Sequence, residues 1–203
     1  MRSIAGALII LIFGQFLIKE AQAESMKPPI EKATFAGGCF WGMEKLFGEI
    51  TGVVSTRVGY TGGAVKDPGY EMVCTGSTGH AEAIEITFDP LKISYARLLA
   101  VFFSTHDPTT PNRQGNDKGT QYRSAIYYHD ASQERLAGQA IERLTKSKAF
   151  RDRIVTQVEP AGEFYPAEDY HQEYLKKNPD GYCAVHYQSQ KVSEILIDLD
   201  RHA

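Results

Sequence analysis

Apolar residues recur along the chain at two spacings, and the switches between them predict most of the elements. Lys32 to Ala36 reads as a short strand running into Gly37-Gly38. Phe40, Met43, Phe47 and Ile50 then recur at steps of three and four, the period of a helix, and Gly52 closes it. Val54, Thr56, Val58 and Tyr60 alternate, which is the period of a strand. His80 to Phe88 alternates again: one face carries His80, Glu82, Ile84, Ile86 and Phe88, the other Ala81, Ala83, Glu85 and Thr87. Ser94 is placed to cap a helix with the stripe Leu98, Leu99, Phe102 and Phe103. Tyr122, Ser124, Ile126 and Tyr128 predict a strand, and a helix from about Ser132 buries Leu136, Ala140, Ile141 and Leu144. Ile154 to Val158 reads as a short strand, Ala167 to Leu175 as a short helix, and Val192 to Leu199 as a candidate helix.

The order strand–helix–strand–strand–helix–strand, followed by additions, is the βαββαβ pattern of a ferredoxin-like α+β sandwich. Two long stretches, residues 61–79 and 106–120, read as loops rich in Gly and Pro. Loops of that length in a compact domain are often functional. No internal repeat or low-complexity stretch interrupts the pattern, so one domain is expected.

The N-terminus departs from this patterning. Met1-Arg2 is a short basic start, Ile4 to Leu17 is apolar apart from Gln15, and Ala21-Gln22-Ala23 has the small–x–small form of a cleavage site. This is the layout of a secretory signal peptide, and the apolar run is short for a membrane span. Residues 1–23 are therefore expected to be a signal and 24–203 a single exported domain, periplasmic in the simplest case; an uncleaved membrane anchor is the alternative. The net charge of −3, without a basic stripe, gives no case for nucleic acid.

Cys39, Cys74 and Cys183 are the only cysteines, too few for a disulfide scaffold and without a C-x-x-C pair. Cys39 follows two glycines and opens the first predicted helix. The partial positive charge of a helix N-terminus stabilises a thiolate, so its pKa is expected to fall below the free value of about 8.5. A buried, inert cysteine at a strand–helix junction is the competing reading. Trp41, the only tryptophan, follows at once and lies off the helix stripe, which places it at the mouth of a site where it could wall an apolar pocket.

Gly38-Cys39-Phe40-Trp41-Gly42 resembles the GCFWG motif of the A-type peptide methionine sulfoxide reductases. Gly59-Tyr60-Thr61-Gly62-Gly63, Gly79-His80-Ala81-Glu82-Ala83, His106-Asp107-Pro108, Gln114-Gly115-Asn116-Asp117, Gly119-Thr120-Gln121-Tyr122-Arg123-Ser124 and Gly181-Tyr182-Cys183 are similar to further motifs of the family, in order along the chain. The resemblance implies thiol-dependent reduction of methionine-S-sulfoxide, free or in proteins. It implies Cys39 as nucleophile, Glu82 as the acid that protonates the sulfoxide oxygen, and Tyr70 and Tyr122 as hydrogen-bond donors to that oxygen. It implies Phe40 and Trp41 as walls for the substrate methyl group, Asp117 as a polar pocket residue, and Cys183 as the resolving cysteine. No cysteine follows Cys183, so the resemblance is to members with a single resolving cysteine. It implies no metal or cofactor, and an external dithiol reductant, thioredoxin or an exported equivalent. The expected partners are oxidised proteins or peptides, with the enzyme a monomer.

The residues suit that chemistry on their own terms. An oxygen leaves sulfur poorly unless protonated, so an acid must stand beside the thiol. Glu82 shares a strand face with Ile84, Ile86 and Phe88, where desolvation of the carboxylate should raise its pKa. Glu85, on the other face, is the solvent-facing comparison. A carboxylate reaching water is the commoner fate of Glu. Two rival classes remain: a metal site, for which no pair has the ligand spacing, and an exported module with a structural Cys39–Cys183 bridge. Cys74 is read as a bystander.

Overall fold

The fold was obtained as a computed structural model, which describes residues 29–182 and 189–202. The expected signal segment and Cys183 lie outside the described residues. Strand β1 (Glu31–Gly37) leads into helix α1 (Phe40–Gly48), and β2 (Val53–Thr61) returns along the sheet. The short helix α2 (Tyr70–Cys74) precedes β3 (Ala81–Phe88), and α3 (Tyr95–Thr105) follows it. A small hairpin, β4 (Arg113–Gln114) and β5 (Asp117–Lys118), and a 3₁₀ turn (Thr120–Tyr122) lead to β6 (Ser124–Tyr128). Helix α4 (Ala131–Lys146), β7 (Gln157–Pro160), β8 (Tyr165–Pro166), α5 (Tyr174–Lys177) and α6 (Gln190–Leu196) complete the chain, with a last 3₁₀ turn over Ile197–His202.

The main sheet has the order β7-β6-β1-β3-β2-β8. Its four central strands, β6-β1-β3-β2, are antiparallel neighbours, and α1 and α3 are the two crossovers. That is the ferredoxin-like arrangement the alternation predicts. The additions β7, parallel to β6, and β8, antiparallel to β2, extend the sheet at its two edges.

One face of the sheet carries the main core. Phe35, Ile84, Ile86, Phe88 and Ile126 meet Met43 and Phe47 from α1, Leu98, Leu99, Phe102 and Phe103 from α3, and Leu136, Ala140 and Leu144 from α4. Val192, Leu196 and Leu199 close the same core from the C-terminus. Ser94 caps α3 as expected, its hydroxyl accepting from the Arg97 amide at 3.1 Å, and Asp130 caps α4 through the Gln133 amide at 2.9 Å.

Several expectations need correction. Val54 is exposed because the β2–β3 register shifts between Val53 and Ser55, leaving Val54 as the extra residue of a bulge. Residues 61–79 contain α2, and 106–120 contain the β4–β5 hairpin, so neither is a bare loop. Of the expected helix Ala167 to Leu175 only Tyr174 and Leu175 are helical, opening α5; residues 169–173 are turn, with Glu173 at φ +52°. Tyr122 belongs to the 3₁₀ turn rather than the strand. Glu85 does not face solvent: Lys32 and Arg57 on neighbouring strands hold its two carboxylate oxygens at 2.9 and 2.8 Å.

Candidate active site

The site forms where β1 ends and α1 begins. Gly38 makes the corner at φ +98°, a backbone state that suits glycine, and a Cβ there would lie 2.6 Å from the Gln114 side chain. Gln114 in turn grips the backbone of Asp107, accepting from its amide at 3.0 Å and donating to its carbonyl at 3.1 Å. The corner therefore packs directly on the hairpin that carries Asp117. Cys39 emerges from it as the N-cap of α1.

Two residues stitch the remaining loops to the sheet. His80 is buried, takes the Gly63 amide on Nδ1 at 3.1 Å and reaches the Val65 carbonyl through Nε2 at 2.7 Å. Arg123 donates to the carbonyls of Gly79 at 3.0 Å and Thr120 at 2.9 Å, and to the Tyr127 hydroxyl at 3.0 Å. The segments bearing Tyr70 and Tyr122 are thereby fixed against β3, and with them the approach to Glu82. His106 is a strut, bonded to the Phe102 carbonyl and the Ser124 hydroxyl at 2.7 Å each.

A cavity of about 150 Å³ lies at this junction, lined by Cys39, Phe40, Trp41, Tyr70, Glu82, Asp117, Tyr122 and Tyr182. Every described site residue expected from the sequence lines it. A larger cavity of about 600 Å³, around Lys32, Arg57 and Glu85, contains no thiol.

Glu82 is 2% exposed and accepts the Phe40 amide at 3.2 Å. Burial pushes its pKa up to about 8, against the pull of that amide, so the carboxyl is protonated at neutral pH. Cys39 runs opposite to expectation. The amides of Trp41 and Gly42 at the helix start do favour the thiolate, but burial outweighs them, and Glu82 and Asp117 add repulsion, raising the thiol to about 12. The helix N-terminus is real; burial of the sulfur is the stronger effect. The site thus holds both a thiol and a carboxylic acid.

Around this pair stand neutral phenols. Burial raises both Tyr70 and Tyr122 to well above the ordinary tyrosine value, so each keeps its O–H. Cys74 lies one helical turn along α2 from Tyr70 and interacts with its phenol, so the expected bystander thiol sits beside the site. The Asp117 carboxylate accepts from the Tyr182 hydroxyl at 3.2 and 3.3 Å. Among the described residues no group of His, Cys, Asp and Glu is placed to hold a metal ion.

Residues 31–198 match the family model described as peptide methionine sulfoxide reductase. The chain belongs to that family. The reductase is 61% identical to the peptide methionine sulfoxide reductase MsrA of Methanothermobacter thermautotrophicus over 153 residues, 75% of this chain and 90% of that one. Its fold matches Mxr1 from Saccharomyces cerevisiae in reduced form with a TM-score of 0.74 at 36% identity, covering 79% of this chain and 93% of that one. Methionine sulfoxide reductase A of Corynebacterium diphtheriae matches with a TM-score of 0.69 at 42% identity, over 78% of this chain and 79% of that one. Mxr1 has also been solved in complex with Trx2. The reductase is accordingly an oxidoreductase acting on methionine sulfoxide.

Sequence reasoning missed three residues that shape the pocket. Tyr182 was visible only as the neighbour of Cys183. Glu168 accepts the Tyr60 hydroxyl and the Tyr70 amide at 2.9 Å each, and His171 accepts the Trp41 indole N–H at 3.0 Å. Both lie in the segment expected to be a helix, whose order comes instead from side chains reaching distant backbone, Glu168 to the Tyr70 amide and Gln172 to Val58.

Proposed function

We propose that this pocket reduces the S epimer of methionine sulfoxide, free or in oxidised proteins, and so repairs them. The observation that carries the reading is the pairing of a thiol with a protonated carboxyl in one small cavity, walled by Phe40 and Trp41 and flanked by the Tyr70 and Tyr122 hydroxyls. The substrate methyl group packs on Phe40 and Trp41, and its oxygen takes hydrogen bonds from the two phenols and Glu82. Asp117, with Tyr182, meets the polar part of the substrate.

Cys39 sulfur attacks the sulfoxide sulfur as Glu82 gives its proton to the oxygen, and the thiol proton replaces it on Glu82. The oxygen passes to Cys39 and methionine leaves, so thiol plus sulfoxide become sulfenic acid plus sulfide. Cys183 then condenses with the sulfenic acid, releasing water and forming a disulfide. Support for this role is its place in the chain, joined directly to the pocket residue Tyr182. An external dithiol, thioredoxin or an exported equivalent, reduces the disulfide; the Mxr1–Trx2 complex supports a partner of that kind. The chain is read as a monomer, exported by cleavage after Ala23, with an uncleaved anchor as the alternative. Export requires that the reductant be delivered outside the cytoplasm.

Single turnover without reductant tests the scheme. Wild type should lose two hydrogens in intact mass as one methionine forms per chain, with Cys39 and Cys183 linked in the peptide map. Cys183→Ser should instead gain one oxygen on Cys39. A disulfide to Cys74, or multiple turnover by Cys183→Ser with a dithiol and no Cys39–Cys183 bridge, would remove Cys183 from its role.

A further inference from the structure

We propose that His171 is the positioning residue that holds Trp41 as a wall of the pocket, and that it does so only in its neutral form. The inference rests on the reading of this cavity as the methionine sulfoxide site.

The geometry begins with the indole. Trp41 Nε1 can only donate, and it donates to Nδ1 of His171 at 3.0 Å. Nδ1 must therefore be the bare nitrogen, which puts the ring proton on Nε2. That nitrogen is buried with no hydrogen-bond partner among the described residues, Glu168 Oε2 standing 3.9 Å away. The His171 side chain is 1% exposed, and its ring lies 5.5 Å from Trp41, 5.1 Å from Phe40 and 4.6 Å from Tyr70 between centroids. It thus stands behind three residues of the pocket lining at once.

His171 cannot swing to suit the indole, because the irregular segment carrying it is fastened on either side. Glu168 is bound to Tyr60 and to the Tyr70 amide. The Gln172 side chain pairs with both the amide and the carbonyl of Val58 in β2, at 3.0 and 2.9 Å. Glu44 of α1 accepts the Glu173 amide at 2.6 Å, holding the left-handed turn at that residue. Tyr174 then stacks on the face of Trp41 with centroids 3.9 Å apart at 16°. One short segment therefore fixes the indole by its edge and by its face, while Trp41 lies off the apolar stripe of its own helix.

Protonation of His171 would place a second hydrogen on Nδ1 and turn the acceptor into a donor facing the indole N–H. The groups that face the ring are Phe40 and Trp41 from α1, the Tyr70 phenol from α2, and Glu168 and Tyr170 from its own segment. Of these only the Glu168 carboxylate is charged near neutrality and favours the protonated ring; burial opposes it and prevails.

The test uses the single tryptophan, whose lone indole N–H resonance reports this bond without reference to activity. In wild type that resonance should lie downfield and slow to exchange, and should move as pH falls below about 6.5, the ordinary histidine range. His171→Phe, which keeps a ring but no acceptor, should shift it upfield and raise KM for free methionine-S-sulfoxide about tenfold, with kcat within about twofold. His171→Gln, which restores an acceptor oxygen, should bring KM back to within about threefold of wild type and lose the acid-side rise in KM. A KM unchanged in His171→Phe would overturn the proposal, as would an indole resonance that neither variant nor acid moves. Should His171→Phe fail to fold, the acid titration of wild type against His171→Gln decides alone. Absence of reductase activity in folded wild type would instead count against the site reading, with the indole resonance still reporting the bond.

Discussion

At the scale of single residues, the chemistry turns on two protons held where water would not hold them. Glu82 keeps its proton up to about pH 8, far above the ordinary glutamate value of 4.5, because its carboxylate would be buried. If Glu82 is the acid, kcat/KM should fall as pH rises through about 8, and Glu82→Gln should cost roughly 10² to 10⁴ in kcat. The same proton has a thermodynamic sign. A folded-state pKa raised above the unfolded one contributes stability that is whole below 4.5 and is lost as pH rises through 8. Glu82→Gln should therefore be more stable than wild type at pH 9, by about 5 kcal/mol, with the advantage vanishing near pH 4. Denaturant titrations at the two pH values check this; a variant less stable than wild type at pH 9 would contradict burial as the cause. Cys39 gives a companion prediction. With its thiol raised to about 12, the free enzyme should show no Cys39 thiolate absorbance and only slow alkylation at pH 8. Rapid alkylation of Cys39 there would restore the helix terminus as the dominant effect.

At the scale of elements, the site depends on corners and fastened loops more than on the regular pieces. Gly38 is the sharpest instance: Gly38→Ala would both strain a residue at φ +98° and drive a methyl into Gln114. A loss of about 2 kcal/mol or more in stability is expected, with activity falling further than folding because Cys39 sits next in the chain. Thermal melts beside initial rates measure the two separately. This is also where the sequence is unevenly legible. The four central strands and their two crossover helices follow from spacing, even though β1, β3 and β6 are buried on both faces. Glu82 could be placed on the core face by the same argument. The Val54 bulge could not, since an extra residue leaves the alternation looking intact. The Ala167 to Leu175 stretch misled because its order comes from side chains reaching distant backbone, Gln172 to Val58 and Glu168 to Tyr70, which no local period records. Cys39 shows the limit at a site: its helix terminus is visible in sequence, but the depth of its pocket depends on segments more than thirty residues away.

At the scale of the whole molecule, the sheet and its helices serve as a frame with the pocket at one end of β1 and β3. Family motifs named the residues, and the fold gathers those from α1, α2, β3, the hairpin and the 3₁₀ turn into one cavity of about 150 Å³. The proposal of export belongs to this scale too. Protein recovered from the extracytoplasmic fraction should begin at Glu24, read by N-terminal sequencing; full-length chain confined to the cytoplasm would refute the signal and remove the need for an exported reductant. The most direct test of the central claim is reduction of free and peptide-bound methionine sulfoxide, S and R epimers separately, with dithiothreitol, comparing wild type with Cys39→Ser. Turnover of the S epimer alone, abolished in the variant, is the predicted result. Equal turnover of both epimers, or activity that survives loss of the Cys39 thiol, would contradict it.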